Sequence, residues 1–187
     1  SALRATGSGA GFVLDGAKAL VLDGHVADLL IVAARTAGKP GSTEGLSLFL
    51  VPTKTPGVQI ERTVMVDAHN AARVQFNQVQ LASDALLGPL HGGWPALNAA
   101  LDAGRCAAAA ELLGLADEAF ERTVQYLKER RQFGKVIGEF QGLQHRAAHL
   151  YSELEITRAA VLKAQQLLDA DPATASDAVA VAKARAG

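Results

Sequence analysis

Between Lys128 and Lys135 the sequence KERRQFGK gathers Lys128, Arg130, Arg131 and Lys135 around one aromatic residue, Phe133. A guanidinium fork is shaped for phosphate or carboxylate, and a neighbouring ring can lie on a flat heterocycle. The cluster admits three readings. It can be a solvated helix end whose cations suit the negative pole of the helix, a strip that binds nucleic acid, or a seat for a phosphate-bearing cofactor. A single aromatic, and a formal net charge of −1 over 187 residues, weigh against nucleic acid. Asp102 and Arg105, three residues apart, share a helical face, the spacing of an ordinary intrahelical ion pair.

Other chemistry-bearing residues have plainer explanations. His145, His149 and Glu153 follow one another at four-residue steps, the spacing of metal ligands on a helix. However, HRAAH lacks the Glu of the HExxH pattern, and solvated or interhelical histidines explain it better. Cys106, the only cysteine, excludes an internal disulfide and a CxxC site. It stands in the close-packing run RCAAAAE, with no base beside it and only Arg105 as a nearby cation. His91 to Pro95, HGGWP, could cradle an anion at a helix start. It lacks the Lys and Ser/Thr of a phosphate loop, so a domain junction is the better reading.

These residues lie on elements of two kinds. Up to about Gly88 the chain is a series of short apolar or alternating runs: GFVLDGAKALVL, DLLIVAAR, LSLFLVP, GVQIE and RVQFNQV. Gly, Pro, Asp and Asn separate them, which predicts strands. Thr36–Gly45 is a turn-rich loop joining two paired strands. Strands without intervening helices predict an antiparallel β-barrel or sandwich. From Trp94 to about Arg131, Leu97, Leu101, Ala108, Leu112, Leu115 and Ala119 recur at helical steps. From about Phe140 to Leu168 the stripe is Leu143, Ala147, Leu150, Leu154, Val161 and Leu168. A third helix is predicted from Ser176 or Asp177. The fold class is therefore α+β: a β-domain over residues 1–90, then an up-down bundle of long helices over 91–187, incomplete in this chain.

Half the residues are apolar and a fifth charged, as in ordinary globular proteins. No apolar run approaches the roughly 20 residues of a membrane span, and the N-terminus lacks the order of a signal peptide. A cytoplasmic, bacterial setting is expected from these features and the abundant alanine.

In register, these motifs resemble the acyl-CoA dehydrogenase family. ERRQFGKVIGEFQGLQHRAAHLYSELEITRA is similar to its R-x-x-F-G-K-x-x-x-x-x-Q segment, LDAGRCAAAAELLGLADEAFERTVQYLKERRQFG to its D-x-x-R helix, and the strand runs to its middle β-domain. The resemblance implies an N-terminal helical domain and last helices outside this chain. It implies FAD shared across a subunit interface, with Arg130, Gln132, Phe133 and Gln141 as flavin contacts. Leu101 falls at an acyl-pocket position, and Asp102 and Arg105 at the pair that meets the CoA ester.

The implied reaction, part of fatty acid metabolism, removes a proton from Cα and a hydride from Cβ of an acyl-CoA to give a 2-enoyl-CoA. An electron-transfer flavoprotein or similar acceptor takes the electrons, and the assembly is a homo- or hetero-oligomer. Two departures stand out. Some members carry the catalytic Glu before the helix arginine, where this chain has Gly104; others carry it on a later loop, beyond Gly187. After G-x-K most members have an aromatic residue and then Thr or Ser, where this chain has Leu20 and Leu22. These departures leave an alternative: a non-catalytic subunit that completes a partner's flavin site. A basic helical nucleic-acid module is the remaining, weaker reading.

Overall fold

The computed structural model describes residues 2–66 and 69–187, which form two compact units, residues 1–97 and 98–187. The first is a seven-stranded sheet: β1 (Arg4–Ser8), β2 (Gly11–Leu22), β3 (Leu29–Arg35), β4 (Leu46–Pro52), β5 (Val58–Thr63), β6 (Ala71–Ala82) and β7 (Leu86–Leu87). Their order is β5-β6-β2-β1-β3-β4-β7. Every pairing is antiparallel except β1 with β3, which run parallel and meet at Arg4 and Arg35. The expected antiparallel sheet is therefore present, with one parallel joint that no local turn signal announces. The rings of Phe12 on β2 and Phe49 on β4 stand 5.1 Å apart although two strands separate them in the order, so the sheet curls onto itself. Inside the curl lie Leu14, Val32, Phe49, Val51, Val74, Phe76 and Val79.

Two bulges set which residues face that core. Between the Leu14–Val79 and Gly16–Phe76 pairs, β6 carries one extra residue, and Gln78 takes φ 49°. Between Lys18–Val74 and Val21–Ala72 the extra residue lies on β2, where Leu20 takes φ 53°. An inserted residue re-aims the side chains that follow. Leu20 and Leu22 emerge outward, 64% and 71% exposed. The Thr36–Gly45 loop joins β3 to β4, as the composition predicts. The buried Arg35 guanidinium shapes it by donating to the carbonyls of Ala37, Ser42 and Glu44 at 3.2, 2.7 and 2.9 Å.

The second unit is helical. α1 (Trp94–Glu129), α2 (Gln141–Ala170) and α3 (Ser176–Ala186) enclose Cys106, Ala109, Leu113, Val161, Ala164, Val179 and Ala182. The periodic leucines place the α1 seam one residue too early. Its buried line is Asp102, Cys106, Ala109 and Leu113, while Leu101 and Leu115 are exposed. Small side chains let helices approach closely, so the tight seam follows Cys106 and Ala109, and larger residues flank it. Leu112, Ala116 and Phe120 of α1 and Leu150 and Leu154 of α2 line an apolar groove of about 410 Å³ on this unit.

Candidate functional site: a hairpin between helices and a buried carboxylate

α1 ends at Glu129, and the chain does not simply turn. Arg131–Gln132 (β8) and Lys135–Val136 (β9) pair as a two-stranded hairpin, with Arg131 opposite Val136 and Gln132 opposite Lys135. Phe133 and Gly134 make the two-residue turn, with φ 53° and 81°. Positive φ at both central positions is the backbone that matches strand twist in a tight hairpin. Gly134 adopts it at no steric cost, whereas for a bulky residue such as Phe133 it is an outlier.

The hairpin is pinned at its base. Ile137 N–H donates to the Arg130 carbonyl at 2.8 Å. A single 3₁₀ turn over Ile137–Glu139 then leads into α2. A Cβ at Gly138 would lie 2.8 Å from the Leu127 carbonyl oxygen, so glycine is what lets this turn press on α1.

This pinned base carries an exposed tip. Phe133 is 90% exposed, and its ring meets that of Phe140 in a T-shaped contact, centroids 6.2 Å apart. Lys135 Nζ lies 4.2 Å over the Phe140 ring, a cation–π contact that holds the ring in place. Arg130, Gln132 and Gln141 are exposed around the hairpin, and Gln132 Nε2 donates to the Arg131 carbonyl at 2.8 Å. The structure thus brings Arg130, Gln132, Phe133 and Gln141 to one connection. The sequence shows the break but not the hairpin, because Phe-Gly is not a turn pair one searches for.

Leu101, Asp102 and Arg105 lie further back on α1. Asp102 is 3% exposed, yet its carboxylate is well supplied with donors. Arg105 Nη1 donates to it at 2.8 Å, Asn98 Nδ2 at 2.9 Å, and the Ser176 hydroxyl from α3. Asn98 Nδ2 also reaches Ser176 Oγ at 3.1 Å, closing the cluster. The Ser176 hydrogen bond, with help from Arg105 and Asn98, holds the Asp102 carboxyl below the usual carboxylate range, although burial alone would raise it. Arg105 is half-exposed and lines an open cleft of about 490 Å³ with Ala180, Lys183 and Ala184. Sequence spacing indicates the Asp102–Arg105 pair, and Asn98 one turn before Asp102 is a signal that goes unread. Ser176, 74 residues away, has no local signal tying it to Asp102.

The remaining candidates fall into structural roles. Cys106 is buried, and burial pushes its thiol up, away from reactivity. Glu153 pairs with Arg185 at 2.6 Å, and no group of three metal-binding side chains occurs among the described residues. His91 and Gly93 are knitted to the sheet: His91 N–H donates to Ser47 Oγ at 2.8 Å, and Gly93 N–H to the Leu46 carbonyl at 2.8 Å. HGGWP is thus a junction and not an open cradle. A Cβ at Gly104 meets nothing within 4 Å, so a side chain has room where this chain carries none.

Both parts of the chain, the curled, largely antiparallel β unit and the long helices joined by a basic hairpin, match known domains. Residues 1–79 match the model of the acyl-CoA dehydrogenase middle domain, and residues 91–187 that of the acyl-CoA dehydrogenase C-terminal domain. The chain belongs to the acyl-CoA dehydrogenase family. It is 36% identical over 170 residues to the mitochondrial short/branched chain specific acyl-CoA dehydrogenase of Rattus norvegicus, covering 89% of this chain and 39% of that enzyme. The structure of butyryl-CoA dehydrogenase from Megasphaera elsdenii superposes with a TM-score of 0.84 at 28% identity, over 98% of this chain and 49% of that one. A chain in the structure of the electron transferring flavoprotein of Acidaminococcus fermentans gives 0.83 at 30% identity, over 100% and 49%. The chain therefore spans less than two thirds of the relatives it matches. Among the described residues no helix is long and apolar enough to cross a membrane.

Proposed function

We propose that the protein carrying this chain is an FAD-dependent acyl-CoA dehydrogenase that converts an acyl-CoA thioester to its 2-enoyl-CoA. Phe133 is the observation that carries the reading. A large ring 90% exposed, on a backbone that side chains rarely adopt, is unfavourable in water. Covering the ring with a flat apolar ligand removes the cost of its exposure, and Arg130 beside it suits a pyrophosphate. The hairpin thus fits a flavin nucleotide, held by Arg130, Gln132, Phe133 and Gln141 for a neighbouring subunit. Bound flavin would supply the two-electron acceptor for hydride from the acyl β-carbon.

This chain's own residues bind, orient and exclude water. Phe133 shields the ring from solvent. Arg130 neutralises phosphate charge, and Gln132 and Gln141 offer amide donors. Leu101 lines the acyl pocket, and of the Asp102–Arg105 pair it is Arg105, held by Asp102, that meets the polar arm of the CoA ester. No carboxylate of residues 1–187 is assigned as the base, since Gly104 occupies one family position and the other lies outside them. Acceptance of the electrons by an electron-transfer flavoprotein, and assembly as a homo- or hetero-oligomer in a bacterial cytoplasm, complete the proposal.

A second reading has its own observation. Leu20 and Leu22 face outward at the β2 bulge, where the family places an aromatic residue and a hydroxyl. Leucine cannot donate a hydrogen bond to the flavin edge, so this β unit lacks a contact for a flavin of its own. That supports a non-catalytic subunit whose hairpin completes a partner's site.

Anaerobic visible spectra of the full-length, assembled protein separate the two. A flavin band that bleaches with one of a panel of acyl-CoAs is expected for the dehydrogenase. A protein purified without flavin, or one whose flavin no acyl-CoA bleaches, sinks the first reading and leaves the second.

A further inference from the structure

The geometry points to Ser176 as a positioning residue for acyl-thioester binding: its hydroxyl fixes Asp102, and Asp102 sets the direction of the Arg105 guanidinium. The inference rests on the reading of Arg105 as the group that meets the CoA ester.

Asp102 cannot reach a ligand easily. It is 3% exposed, and its two oxygens already accept from Arg105, Asn98 and Ser176. A carboxylate has about four acceptor positions in all, so most of its capacity is committed inside the helical unit. Arg105 is different. Its side chain is 46% exposed, and only Nη1 is held, by Asp102. A guanidinium offers about five N–H donors in a fixed plane. Holding one edge on a rigid acceptor therefore orients the others towards the cleft shared with Lys183, which no Asp or Glu side chain among the described residues lines.

Ser176 carries the positional information. Asn98 and Arg105 lie on the same helix as Asp102 and follow it wherever α1 goes. Ser176 is the first residue of α3 and, among the described residues, the one donor to Asp102 from another helix. It ties the Asp102 rotamer, and so the Arg105 plane, to the place where α3 begins. Asn98, bonded to both Ser176 and Asp102, stops the hydroxyl from turning elsewhere.

Acyl-CoA titration of the full-length, assembled protein tests this in two backgrounds. Ser176→Ala is expected to weaken binding about five- to tenfold, the scale of one hydrogen bond to a charged group. In an Arg105→Ala background the same change is expected to matter less than about twofold, because a positioning residue has nothing left to position. Equal losses in both backgrounds would show a general structural role and overturn the inference. Ser176→Thr keeps the hydroxyl and is expected to bind as the unaltered protein does; a Thr variant as weak as the Ala variant with an unchanged melting temperature also overturns it. Should Ser176→Ala fail to fold, Asn98→Ala makes the same two-background comparison, with an expected loss of about twofold. Binding that depends on Arg105 but not on Ser176 removes this inference alone. No acyl-CoA binding by the unaltered protein removes the functional reading and this inference with it.

Discussion

Asp102 and Phe133 lie on one continuous stretch of chain, α1 and the turn that follows it, yet they are settled in opposite ways. Asp102 is polar and buried, and three donors satisfy it. Phe133 is apolar and 90% exposed, on a strained backbone, with one T-shaped contact to Phe140. Each inverts the ordinary rule for its residue type. The buried inversion is satisfied internally, so it stabilises the helices, and in the proposed function it acts on a ligand only through Arg105. The exposed inversion is left largely uncovered by the described residues, which makes it the better marker of a binding face.

The largest effect expected from breaking this contrast is on the buried side. Asp102→Ala leaves Asn98, Ser176 and Arg105 without their acceptor and should cost about 3 kcal/mol in urea denaturation, since half-exposed Arg105 recovers water. A loss below about 1 kcal/mol would mean the cluster is not an anchor. The folded Asp102 carboxyl is held low, so its contribution is fully present above the unfolded value of about 3.9 and disappears as pH falls through the folded value. Asp102→Asn should flatten that acid limb of the stability curve.

On the exposed side the expected effect separates function from folding. Phe133→Gly removes the ring and relaxes the turn, so flavin retention should fall about tenfold while stability holds or rises by up to about 1 kcal/mol. Arg130→Ala should weaken flavin retention on a similar scale, about tenfold, through loss of a charge-assisted contact. Unchanged flavin content in the assembled Arg130→Ala protein would remove the hairpin from the cofactor site.

Two glycines supply the finest comparison. Gly134 sits at φ 81°, where alanine should cost about 1 kcal/mol. Gly104 lies inside α1 with open space around it, where alanine should gain about 0.8 kcal/mol. Melting shifts of the same sign at both would contradict the two backbone assignments.

Much of this architecture is legible in the residues. The run GFVLDGAKALVL coincides with β2 end to end, and the helix limits fall within two residues of their periodic stretches. What is not legible has physical reasons. Arg4–Ser8, RATGS, has no apolar alternation and is a strand because β2 pairs with it. The β2 and β6 bulges reverse which side chains face in, and single-residue insertions leave no periodic trace. The α1 seam follows small residues, which a search for leucines passes over. Of the candidate site, the cations and the Asp102–Arg105 spacing are readable locally. The hairpin geometry and the Ser176 contact are products of folding, and the roles assigned to Arg130, Gln132, Phe133 and Gln141 come from family resemblance.

The single parallel joint between β1 and β3 has a consequence in time. The β5-β6-β2-β1 and β3-β4-β7 ladders each hold together through antiparallel pairs, and they meet where Arg35 N–H donates to the Leu3 carbonyl at 2.9 Å. Parallel pairing is slightly less stable per residue than antiparallel pairing, so the sheet opens first along that line. The amide of Arg35 should therefore exchange with deuterium well before those of Val74 and Phe76, and equal protection would mean that the two ladders open as one. In that sense β1, the strand the sequence advertises least, is the latch of the β unit.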